Sequence, residues 1–189
     1  MGQKRTFTQE ELIDFLRKMW EEKGHMLRGI DTKRYRGVPR STVFIKQFGS
    51  WAAAIKQAGL DVYSQETLKA YIGFLSVYFK HPPRYHIVRR MSYTRVPPMN
   101  CFEKTFGNWT AVVARIEYKE FFSGLTQENF SARLLTMYKS LGRTPTVVDW
   151  ATHYGQPIEI STIPAVFYFG SWNKALRSLG IPVTSLEMK

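Results

Sequence analysis

The strongest constraint on the fold is a four-residue pattern, Phe-Gly-Ser/Asn-Trp, which occurs three times, at residues 48–51, 106–109 and 169–172. After each tryptophan, apolar residues stand at offsets of 3, 4 and 7, the spacing of one face of an α-helix. Ahead of each pattern lies a Ser/Thr-Gln-Glu opening, at residues 8–10, 64–66 and 126–128. We therefore predict three tandem repeats, at residues 1–61, 62–123 and 124–189.

Each repeat is predicted to be helical throughout. Ser or Thr ahead of an apolar run is typical of a helix N-cap, so each opening predicts a long first helix whose apolar stripe faces the core. In the third repeat we predict a second helix at residues 146–154 and a third at residues 161–169. The other third helices are predicted at residues 40–48 and 98–106. The predicted fold class is all-α, with three tandem four-helix repeats, each containing a helix-turn-helix-like unit.

The recurring pattern itself predicts the joint between the third and fourth helices. Its glycine supplies the left-handed residue that ends one helix, and its Ser or Asn caps the next. Second and third helices joined by a short turn are similar to a DNA-reading helix-turn-helix, in which the second of the pair enters the major groove. Helical units of this kind also build protein-binding solenoids, so charge placement has to distinguish the two.

Composition excludes several classes of protein. Apolar residues form 44% of the 189 residues, which is too many for a disordered tail. No apolar run is long enough to span a membrane, and we predict no secretory signal at the start of the chain. The single cysteine, Cys101, excludes a disulfide framework and a cysteine-based zinc cage. A net charge of +12 favours a polyanionic partner, with nucleic acid the first candidate.

The positive charge is concentrated in two stretches. From Arg28 to Lys46, six basic residues oppose one acidic residue, and the same holds from Lys80 to Lys104. The equivalent stretch of the third repeat, residues 143–168, holds one arginine against two acidic residues. Because a merely solvated surface would spread its charge more evenly, we predict nucleic-acid contact through the second and third helices of repeats one and two.

The predicted DNA-binding residues combine cations for the phosphates with short polar or bidentate side chains for the bases. They are Lys33, Arg34, Arg36, Arg40, Thr42, Lys46, Gln47, Arg84, Arg89, Arg90, Arg95, Asn100 and Lys104.

Two smaller sets of residues have other expected roles. The third helix of repeat three offers only Ser161, Thr162 and Ala165, with Tyr168 exposed, so this near-neutral repeat is expected to cap the array or to bind a protein partner. Three tyrosines lie among the basic residues: Tyr35, Tyr85 and Tyr93. Their rings either stack on nucleic acid or pack, half-buried, against the protein with the hydroxyl in water.

No pattern in the sequence predicts catalysis. His81 and His86 flank two prolines and have no acidic neighbour, so a metal site lacks its further ligands. No Walker loop and no Gly-x-Ser-x-Gly elbow occurs. Cys101 stands where the other repeats have Val43 and Pro164, which indicates a small core residue. We therefore expect no enzymatic activity, no cofactor, no metal and no small-molecule ligand.

The recurring patterns, their apolar tails and the Ser/Thr-Gln-Glu openings resemble the homing endonuclease-associated repeat, over about residues 8–181. Members of that family are common in phage and mobile-element proteins, often as tandem copies beside an HNH nuclease domain. The resemblance implies DNA targeting by helical repeats, here three copies without an HNH His/Asn cluster. Repeat two departs from the pattern at residues 116–118, where we expect its last helix to run on.

These observations predict a sequence-specific double-stranded DNA-binding protein that is not an enzyme. The predicted setting is transcriptional regulation by a phage or mobile element, in the cytoplasm of a bacterial host and associated with its nucleoid. One alternative is the DNA-targeting subunit of a separate homing-type nuclease. Another is a module that binds an acidic host protein through aromatic residues of repeat three, namely Trp150, Tyr154, Phe167, Tyr168 and Trp172.

Overall fold

The computed structural model describes residues 6–24, 27–61, 63–91, 95–184 and 186, and within these ranges the chain is all-α, with no strand. One 3-10 helix, Gly29–Arg34, accompanies thirteen α-helices. The α-helices are α1 Gln9–Lys23, α2 Ser41–Phe48, α3 Trp51–Gln57, α4 Gln65–Phe79, α5 Tyr85–Met91, α6 Met99–Phe106, α7 Trp109–Val113, α8 Lys119–Phe122, α9 Gln127–Leu141, α10 Val147–Tyr154, α11 Ile158–Ser161, α12 Ile163–Phe169 and α13 Trp172–Ser178. None of the helices in these ranges is long and apolar enough to cross a membrane.

Three long helices, α1, α4 and α9, begin as predicted. The side-chain oxygens of Thr8, Ser64 and Thr126 each accept a hydrogen bond from a backbone N–H in the first turn, which is the N-cap that the Ser/Thr-Gln-Glu openings indicate. In α1 the predicted apolar stripe consists of Leu12, Phe15, Leu16 and Met19. Phe15 is partly buried and the other three are buried. In α9 the last member of the stripe, Leu141, departs from the prediction and is 39% exposed.

The Phe-Gly-Ser/Asn-Trp joints share three features in all three places. The glycines have φ values of 84°, 94° and 86°, which only glycine adopts without strain, and the following Ser or Asn caps the next helix. Each tryptophan also donates an indole hydrogen bond to the loop that follows the long helix. The pairs are Trp51 to the carbonyl of Leu27 (3.0 Å), Trp109 to that of Pro83 (3.1 Å) and Trp172 to that of Pro145 (3.1 Å).

Helix α4 lies at the centre of the molecule. It contacts α7, α8, α11 and α12, and every residue from Thr67 to Ser76 except Lys69 is buried. A Cβ atom at Gly73 would lie only 1.8 Å from the carbonyl oxygen of Glu117, so the chain that enters α8 packs directly on the α4 backbone. The burial of α4 on several sides explains why its apolar residues exceed a single stripe.

The first and last α-helices also pack together. The Glu22 carboxylate accepts hydrogen bonds from the amide of Asn173 (2.8 Å) and the guanidinium of Arg177 (2.9 Å), both on α13. Gly24, which ends α1 with φ 81°, is so close to the α12–α13 joint that a Cβ there would lie 2.1 Å from the carbonyl oxygen of Gly170. The chain therefore closes on itself, and residues 124–181 contact both of the preceding segments.

The structure corrects one detail of the predicted helices and refines two others. The helix predicted at residues 161–169 begins two residues later, as α12, with Pro164 in its first turn, where the missing N–H costs little, and Ser161 ends the short helix α11 instead. The prediction that the last helix of repeat two runs on is wrong, because α7 ends at Val113 and the chain turns onto α4. The second helix of the first segment, which the sequence indicates only weakly and with residues 33–36 partly in a loop, is a 3-10 helix that ends at Arg34, and Tyr35 and Arg36 lie beyond it.

Candidate nucleic-acid interface

Helices α2 and α6 match the predicted third helices to within one residue at their N-terminal ends. Each buries one phenylalanine, Phe44 or Phe102, whose ring meets the tryptophan of the following joint edge-on, at centroid distances of 5.4 and 6.2 Å. This packing fixes which face of each helix turns inward. The opposite face is left toward solvent, and there the candidate base-reading residues lie.

The outward face of each helix is a stripe of three side chains at helical positions i, i+3 and i+4. In α2 the stripe is Thr42, Ile45 and Lys46, all exposed. In α6 the equivalent stripe is Asn100, Glu103 and Lys104, in which Glu103 is partly buried and the other two are exposed. We call these three positions the outer stripe.

All of the predicted DNA-binding side chains are exposed, which is necessary for contact with DNA although it does not test it. The set is Lys33, Arg34, Arg36, Arg40, Thr42, Lys46, Gln47, Arg84, Arg89, Arg90, Arg95, Asn100 and Lys104. Within the described part of the chain, no ion pair neutralises several of the cations, namely Lys33, Arg40, Lys46, Arg84, Arg89, Arg90 and Lys104. Their charges are available to a polyanion.

A buried carboxylate organises part of the first basic surface. Asp31 is fully buried and contacts Lys23, Arg28 and Arg34, with the Arg34 guanidinium 3.8 Å from its Oδ1 atom. Burial alone would raise the pKa of Asp31, but hydrogen bonds from Lys23 and from the backbone N–H of Arg28 outweigh it and lower the pKa. One ionised carboxylate among three cations orders them and leaves a surplus of positive charge. Sequence reasoning missed this arrangement, although the three-residue spacing of Arg28, Asp31 and Arg34 was visible.

Several residues expected near nucleic acid are instead engaged within the protein. The guanidinium of Arg95 lies over the ring of Phe167, 6.0 Å from its centroid, so Arg95 also links the second and third segments. Tyr35 is buried, and the suggestion that it stacks on nucleic acid is wrong. Tyr85 is 37% exposed and packs edge-on against Trp109 at 5.9 Å. Tyr93 lies outside the described residues.

The third segment differs from the other two at the outer stripe. Its equivalent residues are Ile163, Val166 and Phe167, all buried. The Phe167 ring packs on α4 against Phe74 and Tyr78, at centroid distances of 4.9 and 4.8 Å. The helix face that is outward in α2 and α6 is therefore an interior contact in α12.

Burial also corrects the residues that the sequence offered as exposed on this helix. Ser161, Thr162 and Ala165 are fully buried. Tyr168 is half-buried, and its hydroxyl donates a hydrogen bond of 2.9 Å to the carbonyl of Leu125. Desolvation raises the pKa of Tyr168 to about 12, as expected for a phenol held inside the fold. None of these residues is presented to a nucleic acid.

The aromatic residues that suggested a protein-binding surface on the third segment are also largely interior. Trp150, Phe167 and Trp172 are each at most 1% exposed, and Tyr154 and Tyr168 are partly buried. Arg143, the one basic residue between positions 143 and 168, is engaged by both carboxylate oxygens of Asp149 at 2.7 and 2.8 Å. Burial of these rings removes the aromatic surface on which the docking hypothesis rested.

The described residues contain no group of three or more His, Cys, Asp or Glu side chains arranged to hold a metal ion. Cys101 is half-buried and packs against the core, as its position in the repeat predicted. Burial raises the pKa of its thiol, opposed in part by the nearby charge of Lys104, so the less nucleophilic thiol form is favoured.

Comparison with known proteins gives one family. A family model described as the homing endonuclease associated repeat matches residues 7–61, the segment from the start of α1 to the loop after α3. No curated protein and no solved structure matches the chain significantly.

Proposed function

We propose, from the similarity of residues 7–61 to the homing endonuclease associated repeat, that this chain is a sequence-specific double-stranded DNA-binding protein. In this proposal α2 and α6 enter successive stretches of the major groove, and the cations around them bind the phosphates on either side. The third segment contacts DNA little and holds the other two in place.

The observation that carries the proposal is the contrast between the outer stripes. A helix of eight residues is about 12 Å long, which is comparable to the width of the major groove of B-DNA. Apart from Ile45, helices α2 and α6 present polar or charged side chains along that length, next to cations that have no ion pair within the described residues. A helix with that chemistry on its solvent face is suited to base edges and phosphates.

We extend the family similarity to the whole chain as three tandem repeats. The support is the recurrence of three independent features: the side-chain cap of the long helix, the left-handed glycine of the joint and the indole hydrogen bond to the loop after the long helix. Each feature depends on a different residue of the unit, so their joint recurrence favours a common ancestor unit over three separate turns.

In this proposal the protein acts without catalysis, as a transcriptional regulator of a phage or mobile element bound to the nucleoid of a bacterial host. The support for binding rather than cleavage is that the sequence contains no pattern for an active site. The name of the matched family favours a second candidate, the DNA-targeting subunit of a separate homing-type nuclease. Mg²⁺-dependent cleavage of a bound duplex on addition of an HNH nuclease chain would favour this second candidate over the regulator.

The test of DNA binding is fluorescence anisotropy with random duplex DNA, single-stranded DNA and RNA, from about 50 to about 300 mM salt. We expect preference for the duplex and a log–log salt slope of roughly −4 to −8, which corresponds to about four to eight phosphate contacts. If the protein binds no duplex at the lowest salt, the DNA-binding proposal is wrong.

A further inference from the structure

The middle position of the outer stripe differs chemically between the two exposed helices. It is occupied by Ile45 in α2 and by Glu103 in α6, each three residues before the joint phenylalanine. Building on the proposed function, we propose that this position selects different bases on the two helices, thymine through Ile45 and cytosine through Glu103. The other two stripe positions are similar in kind, a short polar residue and a lysine, so they do not distinguish the two helices.

Ile45 is free for such a contact because the core does not use it. Its side chain is 42% exposed, whereas the neighbouring Phe44 is fully buried and anchors α2 to the following tryptophan. A single exposed isoleucine has no special meaning on an ordinary surface. Here it stands between Thr42 and Lys46 on the solvent face of a basic helix, where a polar residue would be expected.

The chemistry of the major groove specifies what Ile45 would contact. Among the four bases only thymine presents an apolar group there, its C5-methyl, and apolar side chains contact that methyl. A β-branched side chain on a helix has one strongly preferred rotamer, so it offers a fixed apolar surface at little entropic cost. Burying one methyl group corresponds to roughly a fourfold change in affinity.

Glu103 is a carboxylate on a basic face that faces a polyanion, which is unfavourable unless it receives a hydrogen bond. Within the described residues it has no ion pair, and its neighbours on the stripe are Asn100 and Lys104. An ionised carboxylate only accepts hydrogen bonds. Guanine presents only acceptors in the major groove and adenine places an acceptor beside its amino group, whereas cytosine presents its N4 amino group as a donor. Cytosine is therefore the base that Glu103 accepts.

The experiment is selection from a random duplex library, with bound sequences read by deep sequencing. The variants are Ile45→Ala and Glu103→Gln. The controls are Leu141→Ala, which removes an apolar side chain of similar exposure (39%) on α9, and Glu120→Gln, which removes an exposed carboxylate on α8. We expect the wild-type protein to enrich one thymine and one cytosine at separate positions of its site. Ile45→Ala loses the first preference alone, Glu103→Gln loses the second alone, and the controls keep both.

Two further measurements test the thymine methyl group and the charge of Glu103 directly. In a library that carries deoxyuridine in place of thymidine, only the methyl group is missing. The affinity of the wild-type protein for sites with this base at the Ile45 position falls roughly fourfold, and the preference disappears. Glu103→Gln also binds random duplex more tightly than the wild type, since one negative charge near the phosphates is gone.

The outcomes separate this inference from the function on which it rests. If the wild-type protein enriches a site but Ile45→Ala and Glu103→Gln keep its thymine and cytosine preferences, the assignment of the middle position is overturned and sequence-specific DNA binding stands. If the wild type binds duplex with no enriched position, the inference is overturned and only phosphate-mediated binding remains. If it binds no duplex, both proposals fall.

Discussion

Helices α2 and α6 occupy the same place in their segments as α12 does in the third, yet two face solvent and one is interior. The joint after each helix is the same in all three, with its left-handed glycine, its side-chain cap and its indole hydrogen bond. The difference lies at the three positions of the outer stripe, polar or cationic at most positions in α2 and α6 and apolar throughout in α12. The three segments therefore share the joint and differ on this one helix face.

The chemistry of the outer stripe determines what each of these three helices contacts. In α12 it packs on α4 and joins the second and third segments, while the α1–α13 contacts join the first and third. A face that binds another part of the chain in one unit is, in the other two, available to an external partner. The comparison leads to four predictions, ordered from the largest expected effect to the smallest.

The largest difference is expected between equivalent residues at the last position of the outer stripe. Phe167→Ala removes a fully buried ring from contacts with Phe74 and Tyr78 and should lower the free energy of unfolding by about 3–5 kcal/mol. Lys46→Ala, at the equivalent exposed position of α2, should change it by less than about 0.5 kcal/mol. Urea unfolding measures both. Equal midpoints for the two variants would contradict the interior placement of α12.

The contact between the first and third segments can be tested at two helix-ending glycines. Gly24 and Gly142 both have positive φ, but a Cβ at Gly24 meets the Gly170 backbone whereas one at Gly142 meets nothing within 4 Å. Gly142→Ala should lower the free energy of unfolding by about 1 kcal/mol, the cost of a left-handed alanine. Gly24→Ala should lower it by about 2–4 kcal/mol, because a clash with backbone adds to that cost. Thermal unfolding at one pH distinguishes them, and similar losses would argue against the close approach of α1 to the α12–α13 joint.

The contact between the first and third segments should also make the stability of the protein depend on pH, through Glu21 of α1. Burial raises the pKa of Glu21 from 4.5 to about 7, although the backbone N–H of Val147 donates a hydrogen bond to the carboxylate and opposes the shift. Below about pH 4.5 the side chain is protonated in both states, and as the pH rises the unfolded chain releases its proton first, so the folded state loses stability until about pH 7. The total loss is about 2–4 kcal/mol.

Glu21→Gln should remove this loss, because glutamine imitates the protonated acid. The variant should match the wild type near pH 4 and exceed its stability by about 2–4 kcal/mol near pH 8 in urea unfolding. Glu10→Gln, at an exposed position of α1, is the control and should keep the wild-type dependence. Parallel curves for Glu21→Gln and the wild type would show that Glu21 is not the group responsible.

The smallest effect is expected in the salt dependence of DNA binding. Arg89 and Arg90 are exposed on α5 without an ion pair in the described part of the chain, so the double variant Arg89→Ala/Arg90→Ala should flatten the log–log salt slope by about two. Lys139→Ala/Lys174→Ala removes the same charge from exposed positions of the third segment and should leave the slope unchanged. Equal slopes for both pairs would mean that binding does not favour the second segment.

Local structure was predictable because its causes are local. The caps at Thr8, Ser64 and Thr126 and the joint glycines follow from hydrogen bonds within one helical turn, which the order of residues specifies directly. The start of α2 was predicted to within one residue for the same reason. The helix predicted at residues 161–169 was also recognised, with Pro164 in its first turn, and only its start differs, by two residues.

The candidate site also has features that the sequence predicted and features that it did not. The sequence predicted which cations would be exposed, because long charged side chains are rarely buried without partners. It did not predict that Lys23 of α1 contacts the buried Asp31, or that Arg95 lies over Phe167, since both contacts depend on elements brought together by packing. The contacts of Asp31 with Arg28 and Arg34 are local, three residues apart, and were overlooked. It was wrong about Ser161, Thr162 and Ala165, whose small polar or neutral side chains are compatible with either surface or interior.

The sequence by itself therefore determined the all-α class, the three matching openings and joints, and the concentration of positive charge in the first two segments. These depend on helix periodicity, capping and charge, which are properties of neighbouring residues. Only the tertiary structure decided which copy of the third helix is interior. Helix α4 is apolar on several sides and must be covered, and the apolar outer stripe of α12 covers it, whereas the stripes of α2 and α6 carry charges whose burial would be costly without partners.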